Sequence, residues 1–305
     1  MVRRSLWAAV GLAVTLGLGR LAWRLMAFFR SNGVLTSGDA RRRYLLHVPP
    51  GLSGERAVPL VVVIHGFMQS PAHQRDMTRW DDVADVEGFI TVYPMGTGLP
   101  LRWMAHEPSS ASDETRAHVG FVRELVEDLC ERYPVDRDRI YACGMSNGGG
   151  LTMVLAYELP EVFAAVGSVA GLYTYPLPED EGRAVPLIAF HGELDRIVPI
   201  EGHPRRMGYP VPAVADLMEA YAARCGCSAR AEARVSDAVT RVSYTGGRDG
   251  SEVVWYRIAN GGHTWPGGVP LPEYITGPTS HDVDATRLMW DFFRRHARVR
   301  VGTRG

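Results

Sequence analysis

From residue 42 onwards the chain alternates between two patterns of hydrophobic and polar positions. Continuous apolar, β-branched runs predict strands that are covered on both faces; they lie at 59–64, 88–93, 163–170 and 185–191. Apolar residues at helical spacing predict helices; they lie at 72–86, 119–133 and 212–224. Strands alternating with helices predict an α/β fold, a doubly wound and mainly parallel sheet in a single domain, with ligands at the carboxyl ends of the strands.

The flanks of this pattern are less regular. Residues 42–49 alternate enough for an edge strand, and 238–245 and 252–258 also predict strands. Residues 96–117 and 173–182 contain helix-breaking residues and are expected to be loops. Asp282 is expected to cap a last helix that contains an apolar stripe from Leu288 to Phe293.

Composition adds mainly exclusions. The 305 residues include 33 basic and 34 acidic side chains, so no global charge favours nucleic acid. The ten histidines do not fall at metal-ligand spacing, and nothing else in the sequence predicts a metal or a cofactor. The four cysteines do not form a disulfide framework; Cys225 and Cys227 are too close to bridge each other comfortably, which leaves either free to pair elsewhere.

The sequence Gly144-Met145-Ser146-Asn147-Gly148 is the most informative stretch of the chain. It joins a strand-like run that ends at Cys143 to a helical run from Leu151 to Glu158. A serine between glycines at minus two and plus two is typical of a nucleophile elbow, where only small residues fit the tight turn. We therefore predict that Ser146 is a nucleophile, against the alternative of an ordinary glycine turn.

A serine hydroxyl needs a base and an acid that orients the base. Asp195 and His263 each follow a predicted strand, and the chain order Ser, Asp, His fits the α/β-hydrolase arrangement. We predict that Asp195 is the acid, with Glu193 as the nearby substitute, and that His263 is the base. The competing histidines are His65, His191, His281 and His296.

The oxyanion that forms during such a reaction needs preorganised donors. The Asn147 amide, directly after the nucleophile, is predicted to be one. The second is predicted in His65-Gly66-Phe67, after the strand 59–64, with the Phe67 amide preferred and Met68 next. Trp103 and Trp265 are candidate aromatic walls of a substrate site, although tryptophan also packs for purely structural reasons.

Taken together, these motifs closely resemble the polyhydroxybutyrate depolymerase and feruloyl esterase family. The resemblance covers residues 42–297, and its most specific parts are Ser-Asn-Gly-Gly at 146–149 and Gly-His-Thr-Trp-Pro-Gly-Gly at 262–268. It implies a secreted, metal-independent serine carboxylic ester hydrolase with a triad of Ser146, Asp195 and His263. One departure affects the inferred substrate loop, because Ala117-His118 stands where the family usually carries an aspartate pair.

The amino terminus predicts export. Arg3 and Arg4 precede an apolar run over 6–18, and Gly17-Leu18-Gly19 offers small residues for a signal peptidase. The apolar extension over 21–29 leaves an uncleaved anchor open, with membrane association through residues 5–29 and an extracellular or cell-envelope location; a buried amino-terminal helix is a third possibility. We thus expect a signal peptide or anchor over 1–30, a linker over 31–41, the catalytic domain over 42–298 and a tail over 299–305.

Two other functions remain open on the sequence alone. A serine peptidase of the same fold uses the same order of triad residues, and would cleave peptide amides rather than esters. A non-catalytic binding protein with a hydrolase fold would not react with a fluorophosphonate probe. The natural ester and the oligomeric state are not predicted by any motif.

Overall fold

The computed structural model of the protein describes residues 26–298, apart from 53, 55, 108–109, 175–181 and 207. Most of the predicted leader, most of the loop at 173–182 and the whole of the predicted tail therefore lie outside the described residues. Within the described part of the chain, none of the helices has the length and apolarity that crossing a bilayer requires.

A ten-stranded sheet forms the centre of the protein. Its strands are β1 (Gly33–Ser37), β2 (Ala40–His47), β3 (Val58–Ile64), β4 (Ile90–Pro94), β5 (Val135–Met145), β6 (Ala165–Val169), β7 (Leu187–Gly192), β10 (Ala229–Arg234), β11 (Val239–Thr245) and β12 (Val253–Ile258). They lie in the order β1-β2-β4-β3-β5-β6-β7-β12-β11-β10. The strands from β4 to β12 in this order are parallel, and both flanks are antiparallel. A separate hairpin comprises β8 (His203–Arg206) and β9 (Tyr209–Val211).

Helices cover both faces of this sheet. They are α1 (Pro71–Thr78), α2 (Trp80–Glu87), α3 (Asp113–Arg132), α4 (Asn147–Glu158), α5 (Val214–Arg224), α6 (Glu273–Thr276) and α7 (Ala285–Phe293). In β3, Leu60 and Val62 belong to one apolar cluster with α3, α4 and α5, whereas Val61 and Val63 belong to a second cluster with α1, α2 and α7. Because successive side chains of a strand point to opposite faces, a strand covered twice needs an unbroken apolar run. The predicted α/β fold is confirmed.

The amino-terminal flank of the sheet differs from the expectation. The segment 31–41 is not only a linker, because Gly33–Ser37 within it forms β1 and pairs antiparallel with β2. The predicted edge strand, β2, consequently lies between β1 and β4. A strand of only 5 residues such as β1, with none of them buried, carries too little periodicity to be recognised locally.

Three helix boundaries also differ. The predicted helix over 72–86 is broken at Arg79, which adopts left-handed φ 54° and separates α1 from α2. α3 begins within the predicted loop at Asp113, where the Ser112 side chain accepts the Thr115 amide. The last helix is capped by Asp284, whose carboxylate accepts the Arg287 amide at 3.0 Å. Asp282 instead binds Ser280 and Asn260, so its prediction as the cap is wrong.

Candidate active site

Ser146 lies at the turn from β5 into α4. Its backbone has φ 55° and ψ −120°, a conformation that side-chain-bearing residues rarely adopt. The turn is held by hydrogen bonds on both sides: the Ser146 amide donates to the Val169 carbonyl at 2.9 Å, and the Ser146 carbonyl accepts from Leu172 at 2.9 Å. The serine thus stands at the carboxyl end of the parallel sheet, in front of the amino terminus of α4.

The two glycines of the motif are required by close backbone contacts. A Cβ at Gly148 would lie 2.4 Å from the Ile64 carbonyl oxygen, and one at Gly144 would lie 2.5 Å from the Gly148 carbonyl oxygen. Neither neighbour is a flexible side chain, so any larger residue would push the elbow away from β3. The spacing seen in the sequence therefore has a steric cause.

Asp195 and His263 meet at the same edge of the sheet, after β7 and β12. The Asp195 Oδ2 atom lies 2.7 Å from His263 Nδ1, and both side chains are buried. Asp195 Oδ1 accepts the amides of Ile197 at 2.9 Å and Val198 at 2.8 Å, which fixes the orientation of the carboxylate. Because a carboxylate only accepts, the proton of a neutral His263 sits on Nδ1, and the Nε2 lone pair is available to take a proton.

Glu193, the alternative acid, points elsewhere. Its carboxylate forms an ion pair with Arg257 at 2.9 Å, and both side chains are partly exposed. The geometry therefore favours Asp195 as the partner of His263.

Three of the four competing histidines, His65, His191 and His296, are committed to other contacts. His191 Nε2 donates to the Val198 carbonyl at 2.8 Å and lies 3.6 Å from Asp195 Oδ2. This ring therefore packs beside the Asp195 carboxylate. Burial lowers the pKa of His191 and keeps the ring neutral. His296 pairs with Glu252 at 3.2 Å, and His65 lies fully buried beneath the elbow. His281 is exposed.

The loop after β3 offers one unoccupied amide. The Met68 amide, the second choice from the sequence, donates to the Leu101 carbonyl at 2.9 Å. The Phe67 amide has no acceptor among the described residues. Gln69 Oε1 accepts the Gly66 amide at 2.8 Å and so closes the loop beside the elbow. Phe67 and Asn147 both line the cavity that contains Ser146.

Asn147 and Trp103 are locked together. Asn147 Oδ1 accepts the Trp103 amide at 2.7 Å, and Asn147 Nδ2 donates to the Trp103 carbonyl at 2.9 Å. The Trp103 indole N–H donates to the His65 carbonyl at 3.0 Å. The Asn147 side chain therefore anchors the loop 95–112, while the Asn147 backbone remains at the start of α4.

Two buried histidines complete this support, and the sequence did not single out either as structural. His65 Nε2 accepts the Gly96 amide at 2.9 Å. His118 Nδ1 accepts the Met104 amide at 3.0 Å, and its Nε2 lies 3.0 Å from Thr97 Oγ1. Burial lowers the pKa of each ring to about 4, so both are neutral acceptors at neutral pH.

The two predicted aromatic walls have different surroundings. Trp103 lines the cavity, although only 1% of it is exposed. Trp265 is equally buried but is not among the residues that line this cavity; its indole N–H donates to Thr286 Oγ1 at 2.9 Å within the apolar cluster that holds α7. These contacts favour the packing alternative for Trp265, and its role in substrate binding stays a prediction.

A cavity of about 500 Å³ opens in front of Ser146. Leu172, Ile197 and Val198 form part of its wall, and the hairpin β8–β9 borders it through His203 and Arg205. His106, another lining residue, stacks on Tyr209 of the hairpin at 4.2 Å between ring centroids. This hairpin was not predicted, because strands of 4 and 3 residues are too short to show a local pattern.

The order of strands, the strained serine and the buried Asp195–His263 pair together define an α/β-hydrolase. The solved structure of an acetyl xylan esterase from Aspergillus awamori has the same fold, with a TM-score of 0.61 over 86% of this chain and 98% of that one, at 15% identity. At this identity the likeness shows the fold alone.

Comparisons of sequence define the family. Residues 42–175 match the profile described as esterase PHB depolymerase. The putative esterase NocK of Nocardia uniformis subsp. tsuyamanensis is 30% identical over 274 residues, which cover 82% of this chain and 78% of NocK. Feruloyl esterase B of Neurospora crassa is 28% identical over 163 residues, 53% of each chain, so the match spans about half of that relative. The chain belongs to the esterase PHB depolymerase family and is a carboxylic ester hydrolase, which confirms the resemblance seen in its motifs.

Proposed function

We propose that the protein is a serine carboxylesterase that works through an acyl-enzyme. Ser146 is the nucleophile, His263 the general base and acid, and Asp195 the carboxylate that orients His263. The 2.7 Å hydrogen bond between Asp195 and His263, at the sheet edge where Ser146 stands in a strained turn, is the observation that carries this proposal.

The proposed reaction has two similar halves. As Ser146 Oγ bonds to the ester carbonyl carbon, its proton moves to His263 Nε2, and the amides of Phe67 and Asn147 donate to the oxyanion. The bond to the leaving alcohol then breaks, and the alcohol takes the proton from His263. Water attacks the acyl-enzyme with the same proton transfers, which releases the acid and restores Ser146.

Replacement of the nucleophile is the primary test. Ser146→Ala is expected to lower kcat for a p-nitrophenyl ester on the order of 10⁴-fold to 10⁶-fold, as loss of a triad serine does. A fluorophosphonate probe should label the wild type and not the variant. Ser236→Ala, at a partly exposed serine that contacts Asp282, is the matched control and should retain labelling. Labelling of Ser146→Ala to the wild-type extent would contradict the proposal.

The choice between the two acids has its own test. Asp195→Asn leaves the buried contacts in place but favours the wrong tautomer of His263, and we expect kcat to fall by about 10⁴-fold. Glu193→Gln removes only a partly exposed ion pair with Arg257 and should change kcat less than about twofold. The opposite order of effects in steady-state kinetics would make Glu193 the acid.

The substrates that we propose are hydroxybutyrate-type oligoesters or feruloyl and acetyl esters. The family supports this range, and the cavity of about 500 Å³ has the size of a small-molecule site. Rates on methyl ferulate, a short p-nitrophenyl ester, acetylated xylan and a hydroxybutyrate oligomer would rank these classes. Cleavage of a peptide amide with no cleavage of any of these esters would favour a peptidase instead.

We also propose that the protein is exported, or anchored in the cell envelope, through residues 1–30. Arg3 and Arg4 before an apolar run support this. Expression of the full chain in a bacterium, beside a variant that begins at residue 31, tests it by fractionation. Equal amounts of both in the cytosol would contradict export.

A further inference from the structure

The cavity in front of Ser146 is cationic. Among the described residues, its lining includes two arginines, Arg102 and Arg205, and no aspartate or glutamate. The arginines come from separate segments, the loop 95–112 and the hairpin strand β8, and they border the same space as the nucleophile. The remaining lining is mostly apolar, as at Leu172 and Val198.

The backbone of Arg102 is fixed by Thr97, and its side chain lies beside a glycine. Its amide donates to the Thr97 carbonyl at 2.9 Å, and its carbonyl accepts the Thr97 amide at 3.1 Å. The guanidinium lies across Gly98, where an added Cβ would be 2.6 Å from Arg102 Nη1. A side chain at position 98 would require the end of the Arg102 side chain to shift, so the glycine leaves room for the guanidinium at this place in the loop.

Arg205 comes from a different segment, the hairpin strand β8. Its amide donates to His203 Nδ1 at 3.1 Å within the exposed hairpin, and its side chain reaches the cavity. Neither Arg102 nor Arg205 has a carboxylate within ion-pair distance among the described residues. Arginines elsewhere on the surface do find such partners, for example Arg139 with Asp136 at 2.7 Å.

Unpaired guanidinium groups beside an apolar wall are suited to an anionic ligand. The guanidinium fork matches the geometry of carboxylates and binds them through charge-assisted hydrogen bonds. A cleft lined by charge of one sign also raises the local concentration of ligands of the other sign. Since the net charge of the whole chain is only −1, this local field is not part of a general basic character.

We propose that the preferred substrate of this esterase is an ester that carries a carboxylate, which Arg102 and Arg205 bind while the ester carbonyl lies at Ser146. The proposal rests on the function proposed above and narrows its substrate class. The carboxylate belongs either to the acyl part, as in a dicarboxylic monoester or the free acid end of an oligoester, or to the alcohol part.

Two matched pairs of esters test this and separate the two positions of the charge. p-Nitrophenyl hemiglutarate against p-nitrophenyl valerate places the charge on the acyl side. 4-Acetoxybenzoate against its methyl ester places it on the alcohol side. For each pair, the measured quantity is kcat/KM for the anionic ester divided by kcat/KM for the neutral ester. It is measured in the wild type, in Arg102→Ala and in Arg205→Ala. Arg234→Ala, on β10 and remote from the site, is the control.

Loss of one charge-assisted hydrogen bond costs on the order of tenfold in binding. We expect Arg102→Ala and Arg205→Ala each to lower the ratio by about tenfold in one pair, Arg205→Lys to restore part of it, and Arg234→Ala to keep the wild-type ratio. Added salt should lower the wild-type ratio in the same pair.

Two outcomes overturn the inference, and they differ. In the first, all four esters are hydrolysed, but the ratios in Arg102→Ala and Arg205→Ala stay at the wild-type value. This result rejects recognition of an anion by the arginines and leaves the proposed esterase function standing. No hydrolysis of any of the four esters, together with no fluorophosphonate labelling at Ser146, rejects the proposed function and this inference with it.

Discussion

At Ser146, the backbone conformation that presents the hydroxyl works against stability. The φ of 55° and ψ of −120° place Ser146 in a region of backbone conformation that glycine tolerates and residues with a Cβ rarely adopt. The neighbouring backbone, including the 2.9 Å hydrogen bond to Val169, forces this conformation on the serine. Strain of this kind is compatible with folding only because the elbow is fixed from both sides.

We therefore expect Ser146→Gly to be more stable than Ser146→Ala by about 1 kcal/mol, since alanine keeps the strain and glycine relieves it. Chemical denaturation of the two variants measures the difference. The matched pair Ser243→Gly and Ser243→Ala, in the ordinary strand β11, should show the opposite sign because glycine weakens a strand. The same sign at both positions would show that Ser146 is not strained.

The two tryptophans allow a second prediction at this scale. Trp265→Phe loses the bond to Thr286 and core volume, and we expect the free energy of unfolding to fall by about 1 to 3 kcal/mol. Trp103→Phe loses the bond to His65 and alters the wall of the cavity, so KM for methyl ferulate should change more than in Trp265→Phe. A larger change of KM in Trp265→Phe would restore the substrate-binding role predicted for Trp265.

Among the elements, the helix α3 supports the active site through one residue. His118 accepts the Met104 amide and contacts Thr97. Because the backbone amide must donate, His118 Nδ1 is the acceptor and Nε2 carries the proton of the neutral ring. A protonated ring has no acceptor left, so acid should release the loop 95–112 from the helix.

The sign of the pH effect follows from the pKa of His118. Burial lowers this pKa to about 4 from an ordinary value of 6.5, so the unfolded state binds more protons between these values, and stability falls as the pH falls through this window. Relative to pH 7.5, we expect a loss of about 2 to 3 kcal/mol at pH 4.5 from this group. In urea denaturation at a series of pH values, the free energy of unfolding of His118→Gln should fall less steeply with acid than that of the wild type. The stability of the variant at pH 7.5 measures the cost of the altered hydrogen bonds alone. An unchanged slope in the variant would contradict the prediction.

The elements also show which parts of the protein a local pattern predicts. β3, β6 and β7 were predictable because a strand covered on both faces is apolar throughout, whatever its neighbours. Their order and common direction then imply that residues directly after parallel strands share an edge, which is why Ser146, Asp195 and His263 could be named together. The fully exposed β10 and the hairpin β8–β9 have no such pattern. His118 and Arg205 gain their roles from contacts between distant segments, which no local spacing encodes.

At the scale of the whole molecule, the sheet formed by the described residues is open, with β1 and β10 at its edges. Within that part of the chain β10 pairs with β11 on one side only, and all six residues of β10 are exposed. An unpaired strand edge is a template for association with another chain, and charged side chains on it oppose such pairing. Arg230, Glu232 and Arg234 supply these charges, with Glu232 3.0 Å from Arg230.

Removal of the charges should therefore make the protein associate through this edge. We expect the triple variant Arg230→Thr, Glu232→Thr, Arg234→Thr to form dimers or larger species as its concentration rises, because threonine favours strands and no longer repels an incoming chain. Light scattering coupled to gel filtration measures the mass. The matched variant Arg230→Lys, Glu232→Asp, Arg234→Lys keeps every charge and should keep the wild-type mass. If the threonine variant also keeps it over the same concentrations, the geometry of the edge, rather than its charge, prevents the association.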